Sequence, residues 1–146
     1  MSLVSLISVG AAVAAWLRPI PHETLAAPAA PTYTEQQIAD AKSKVCAAYQ
    51  KVRRASDANA NRKGGDDPTS QLAVAVNDRQ IYVAGSAYLL TVLDDAPAAP
   101  GELSAAVRNL ARLFQVITLN FLASDASAPE RTDADQATAS IEGFCR

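Results

Sequence analysis

Residues 103–122 constrain this chain more than any other stretch. Leu103, Val107, Leu110, Phe114, Ile117 and Phe121 recur at the i, i+4, i+7 spacing of one helix face. Arg108, Arg112 and Gln115 keep the opposite side polar as far as residue 115, and beyond it Val116, Leu119 and Leu122 make that side apolar too. A helix that is apolar all round in its last turns needs neighbours on several sides, so the pattern predicts the central helix of a bundle.

Composition then limits the core. A chain of 146 residues makes one folded domain. It has 31 alanines and only 5% aromatic residues. Alanine favours helix but buries little, so burial rests on a few Leu, Val, Ile and Phe positions. So thin a core gains much from a covalent staple. The net charge of −2, with 19% charged residues, carries no nucleic-acid signature.

Residues 1–17, MSLVSLISVGAAVAAWL, have no charged side chain. As a helix they span ~25 Å, just under the ~30 Å hydrocarbon core, and Trp16 and Arg18 suit the interface beyond. The favoured reading is a membrane anchor. A cleaved signal peptide, with Ala12-Val13-Ala14 before the cut, and a buried helix of the domain are the alternatives. The segment lacks a basic n-region, and Arg18 lies on the wrong flank for an N-inside anchor; both oddities vanish if the natural chain begins upstream. Residues 18–33 hold Pro19, Pro21, Pro28 and Pro31, a density that favours an extended spacer and leaves His22 and Glu23 as solvated spacer residues.

From residue 34 onward the signals are helical. Thr34 and Gln37 form a capping box, opening a helix to about Asn61 with Ile38, Ala41, Val45, Ala48, Tyr49 and Val52 inward. The KGGDD run at 63–67 breaks it; its lysine precedes the glycines, the reverse of a phosphate loop. Asp67 caps the next element, with Pro68 at its first position. The strings LAVAV at 72–76 and RQIYV at 79–83 fit a β-hairpin around Asn77-Asp78, but the helical surroundings favour a helix. On that helix Leu72, Val76, Val83, Ala87 and Leu90 share a face, and Gly85 marks a close crossing. Ala96 to Gly101 forms a break, the central helix ends near Ser124, and residues 125–130 form a loop. Thr132 to Asp135 then cap a short last helix, with Ala137, Ile141 and Phe144 or Cys145 inward.

Two cysteines, Cys46 and Cys145, lack any CxxC or metal-type neighbour. Cys46 lies ~18 Å along the first helix. In an up-down-up-down bundle the fourth helix ends near the start of the first, which brings Cys145 to the level of Cys46. A bridge closing so long a loop stabilises by ~4.7 kcal/mol in the chain-entropy model and implies an oxidising compartment. Two buried free thiols are the alternative. The expected fold is therefore all-α, an antiparallel four-helix bundle with one disulfide over 34–146, preceded by the membrane helix and the Pro-rich spacer.

No catalytic set emerges. The single histidine, His22, lies in the spacer, and the pairs Asp66/Asp67 and Asp94/Asp95 read as turn and cap charges rather than as metal ligands or acid–base dyads. No cofactor or metal is expected. Lys51, Arg53, Arg54, Arg62 and Lys63 form a basic stretch, either a solvated face complementing the acidic residues at 125–142 or a patch for an anionic envelope lipid or polymer. Without interleaved aromatics it does not suit nucleic acid.

The strings YTEQQIADAKSKVCAAY at 33–49, YLLTVL at 88–93 and AAPGELSAA at 98–106, with the closing Cys145, resemble a group of mycobacterial alanine- and proline-rich single-pass membrane proteins of unknown function. That resemblance implies an envelope-facing helical domain on the extracytoplasmic side of the cell membrane and supplies no activity. Together these readings lead to a non-enzymatic envelope interaction or assembly module, with the membrane and another envelope protein or lipid as partners. Val116, Leu119 and Leu122 are its candidate partner surface, unless the last helix covers them. The alternative function is a carrier of a small apolar ligand or lipid between the helices, since a thin core leaves space.

Overall fold

The computed structural model describes residues 31–62 and 65–146. Four helices follow in order: α1 (Glu35–Ala60), α2 (Pro68–Asp94), α3 (Gly101–Ala123) and α4 (Ala128–Phe144). The capping box forms as the spacing predicts: Gln37 N–H donates to Thr34 Oγ1 at 3.2 Å, and Thr34 N–H donates to Gln37 Oε1 at 2.8 Å. Asp67 accepts from Ser70 N–H at 2.8 Å with Pro68 opening α2. The segment at 70–83 is helix throughout, not a hairpin. At the end of α3 Ser124 adopts φ 61°, a left-handed cap, and turns the chain into the last connection. That connection is shorter than expected. α4 starts at Ala128, one turn before the Thr132–Asp135 run, because Pro129 fits the first turn of a helix and continues it.

α3 is the centre. Leu103, Val107, Leu110, Leu113 and Ile117 are each at most 1% exposed. Around them pack Val45, Tyr49 and Val52 of α1, Leu89, Val92 and Leu93 of α2, and Ala134, Ala137 and Ile141 of α4. The extensive contacts run α1 to α2, α2 to α3 and α3 to α4, whereas α1 and α4 touch little. The Cys46–Cys145 disulfide closes that open seam at one end, with Cα atoms 5.6 Å apart.

Several expectations are corrected. Four helices and the disulfide stand, but no helix among the described residues is long and apolar enough to cross a membrane. Asp78 and Arg79 interrupt α2, and Arg108 and Arg112 keep one side of α3 charged. The anchor expected at 1–17 and most of the 18–33 spacer lie outside the described residues. Ile38 is 38% exposed rather than inward, in the first turn of α1. On α2 the apolar face chosen from sequence is the outer one, with Leu72 59% and Val83 54% exposed, and the bundle is met instead by Gly85, Ser86, Leu89, Val92 and Leu93. Apolar residues occupy every side of α2, so close approach decided the face. A Cβ at Gly85 would lie 2.8 Å from Val52 Cγ1.

Two stability outcomes follow. Replacing both cysteines with serine, or reducing the bridge, should lower unfolding free energy by about 2–5 kcal/mol, read from urea midpoints with and without reductant. Gly85→Ala should destabilise by about 1 kcal/mol, because overpacking exceeds the gain in helix propensity. In a Val52→Ala background the same substitution should become neutral or stabilising, and unchanged destabilisation there would remove the close-crossing account.

Candidate functional site

Among the described residues several spaces open between the helices, and two of them bear on function. The first lies between α1 and α2. The Val52 side chain of α1 packs against the bare Cα of Gly85 on α2. Away from that crossing the facing side chains are Ala55 and Ala58 of α1 and Ala84 of α2, too short to fill the angle between the rods. With Ile81 they leave a mainly apolar groove of about 510 Å³, open to solvent along one side. Its rim carries Lys51, Arg62, Asn77, Gln80 and Tyr88. The Lys51 ammonium sits 5.2 Å from the centroid of the Tyr88 ring, a cation–π distance.

Asn59 anchors the far end. It is 3% exposed, and its Nδ2 donates to Val74 O at 3.1 Å and Asp78 Oδ1 at 2.6 Å. These two acceptors set the amide's orientation. Its buried Oδ1 has no hydrogen-bond partner among the described residues.

The second space follows the seam between α1 and α4. Its floor is Leu110, Phe114 and Ile117 of α3, its volume about 450 Å³, and its rim is polar: Tyr49, Arg53, Tyr82, Arg131 and Asp135. Tyr82 stacks on Phe114 with ring centroids 4.8 Å apart. Arg79 from α2 and Arg131 from α4 place their guanidinium groups 5.2 and 4.9 Å from the Phe121 ring, which ties three helices together at this end. At the disulfide end Tyr49 Oη donates to Glu142 at 3.1 Å, while Arg53 donates to Glu142 and Asp57. Burial raises the phenol pKa of both Tyr49 and Tyr82; the carboxylate of Glu142 adds to the effect at Tyr49 and that of Asp78 at Tyr82.

The residues singled out in the sequence distribute over separate places. Cys46 and Cys145 form the bridge. Lys51 and Arg62 line the α1–α2 groove. Arg53 is turned the other way, toward Glu142 and the seam, and Arg54 accompanies it. Lys63 lies outside the described residues. The expected single basic patch is thus divided, because helical twist sends 51 and 53 to different sides of α1. Arg53 pairs with Glu142, one of the acidic residues of 125–142, and with Asp57 of its own helix, while Asp133 faces α3 beside Asn109. Leu119 and Leu122 are 63% and 72% exposed, uncovered by α4, and Val116 is half-buried. Sequence reading missed the groove itself. Its signal was the run of small residues Ala55, Ala58, Ala84 and Gly85, which reads as ordinary helix former until the two rods are paired. Among the described residues no group of three or more His, Cys, Asp or Glu is placed to hold a metal.

No protein-family model, curated protein or solved structure matches this chain. The expected membrane partner, single-pass location and anchored envelope module are corrected, because the described helices include no membrane span. What the bundle does present is space between helices.

The two tyrosines give a pH signature. Their folded pKa values lie above the ordinary 10.0, so the unfolded chain loses these protons first as pH rises. Stability should be unaffected by them below about pH 10 and fall above it, levelling once the folded phenols also ionise. Tyr49→Phe should flatten part of that alkaline fall in denaturation midpoints measured from pH 8 to 11.5.

Proposed function

We propose that this domain binds a small apolar ligand between its helices, in the groove between α1 and α2, and acts as a carrier. The observation that carries this reading is the apolar trough of about 510 Å³ walled by Val52, Ala55, Ala58, Ile81, Ala84 and Gly85. Its size lies in the range of ligand sites, ~300–1,000 Å³. The walls are helix backbone carrying mostly short side chains, so the space exists before a ligand arrives and little reorganisation of the protein opposes entry. An open trough covers one side of a chain. Each buried methylene then gains only part of the full ~0.8 kcal/mol, which makes binding reversible, as loading and unloading require. The seam between α1 and α4 is the poorer candidate, because its polar rim would have to be desolvated.

Titration of the isotope-labelled protein with dodecanol below its aggregation limit tests this. Amide shifts should cluster at Ala55, Ala58, Ile81 and Ala84. Ala55→Phe and Ala84→Phe place a ring in the groove from exposed positions, so each should weaken binding by about tenfold while leaving the melting temperature within a few degrees. Unchanged affinity in both variants would place the ligand elsewhere.

A further inference from the structure

We infer that the groove's ligand is an anionic amphiphile of the long-chain carboxylate class, its head group held by Lys51 and its chain laid toward Ala58 and Ile81. This rests on the groove reading above and adds the chemistry of the head group. The charged side chains lining the trough are Lys51 and Arg62, and no acidic side chain lines it. Among the described residues neither enters an ion pair, whereas Lys44, Arg53 and Arg108 are each paired with a carboxylate. The carboxylate at the far end, Asp78, is engaged by Asn59 and stands outside the lining.

The two cations are not equivalent. Arg62 follows the last turn of α1, where unsatisfied carbonyls gather negative potential and no basic residue lies within the turn itself. Its charge offsets that potential. Lys51 lies in the middle of α1, ~16 Å from Arg62 along the axis, where the helix contributes no end charge. Its ammonium is held at the groove mouth over Tyr88, and the ring face uses one side of a group with three donors. The remaining donors are available to a carboxylate, and the apolar wall running away from it, Val52 to Ala58 on α1, ~9 Å along the axis, takes the first part of an alkyl chain.

Dodecanoate and dodecanol share the chain and differ in the head group, so the pair separates the two layers of the reading. Affinities would be measured by NMR titration at pH 8 on wild type, Lys51→Met and Arg62→Met, with melting curves confirming that the exposed substitutions leave the fold intact. Dodecanoate should bind wild type about three- to fivefold more tightly than dodecanol, the scale of an exposed ion pair. That preference should vanish in Lys51→Met, persist in Arg62→Met and shrink with added salt. Equal binding of acid and alcohol by wild type overturns the head-group assignment and leaves the apolar groove standing. A preference that survives in Lys51→Met, or is lost only in Arg62→Met, overturns the role of Lys51. Failure of both probes to bind overturns the groove reading with it.

Discussion

The Cys46–Cys145 bridge is the constraint on which the rest depends. α1, α2 and α3 follow one another in a chain of side-by-side contacts, and α4 adds to α3. Nothing comparable joins α4 back to α1. Many alanines and few aromatics leave the helices with short side chains, which reach α3 but do not fill the gap across the seam. The disulfide supplies that closure covalently at one end, and Tyr49, Arg53 and Glu142 extend it by charge-assisted hydrogen bonds. Farther along, Arg79, Arg131 and the Phe121 ring hold α2, α3 and α4 together at the other end. The seam between α1 and α4 is thus fastened at the disulfide end and open beyond it.

The same economy of side-chain volume produces the groove. Close packing requires that two helices either interdigitate or approach to backbone contact. α1 and α2 approach closely where the Val52 side chain occupies the place of a Cβ at Gly85. Beyond that crossing Ala55, Ala58 and Ala84 leave the angle between the two helices unfilled along one side. The groove is therefore a consequence of the crossing, and the crossing of one missing Cβ. Binding of an apolar chain there would restore the contact that alanine cannot make.

Much of the fold was legible in particular residues. Thr34 with Gln37 and Asp67 with Pro68 announced the starts of α1 and α2, because capping is a local interaction over three residues. The stripe from Leu103 to Phe121 announced α3, because one face of a helix repeats regularly. The cysteines could be paired from helix lengths and antiparallel order alone. The outward face of α2 could not. Leu72, Val76 and Val83 are as apolar as Leu89, Val92 and Leu93, and only the approach permitted by Gly85 distinguishes the two sides. The division of the basic stretch was equally hidden, since Lys51 and Arg53 are near in sequence but serve different gaps.

Sequence alone determined the order of the helices, the caps of α1 and α2 and the residues that could be bridged, since each of these depends on neighbours within a turn or on the length of a rod. Tertiary structure decided which side of α2 is buried, where α1 and α4 part, and that Lys51 and Tyr88 meet above an apolar trough. Those outcomes depend on the angle and distance between rods, and no periodicity within a single helix encodes an angle to another.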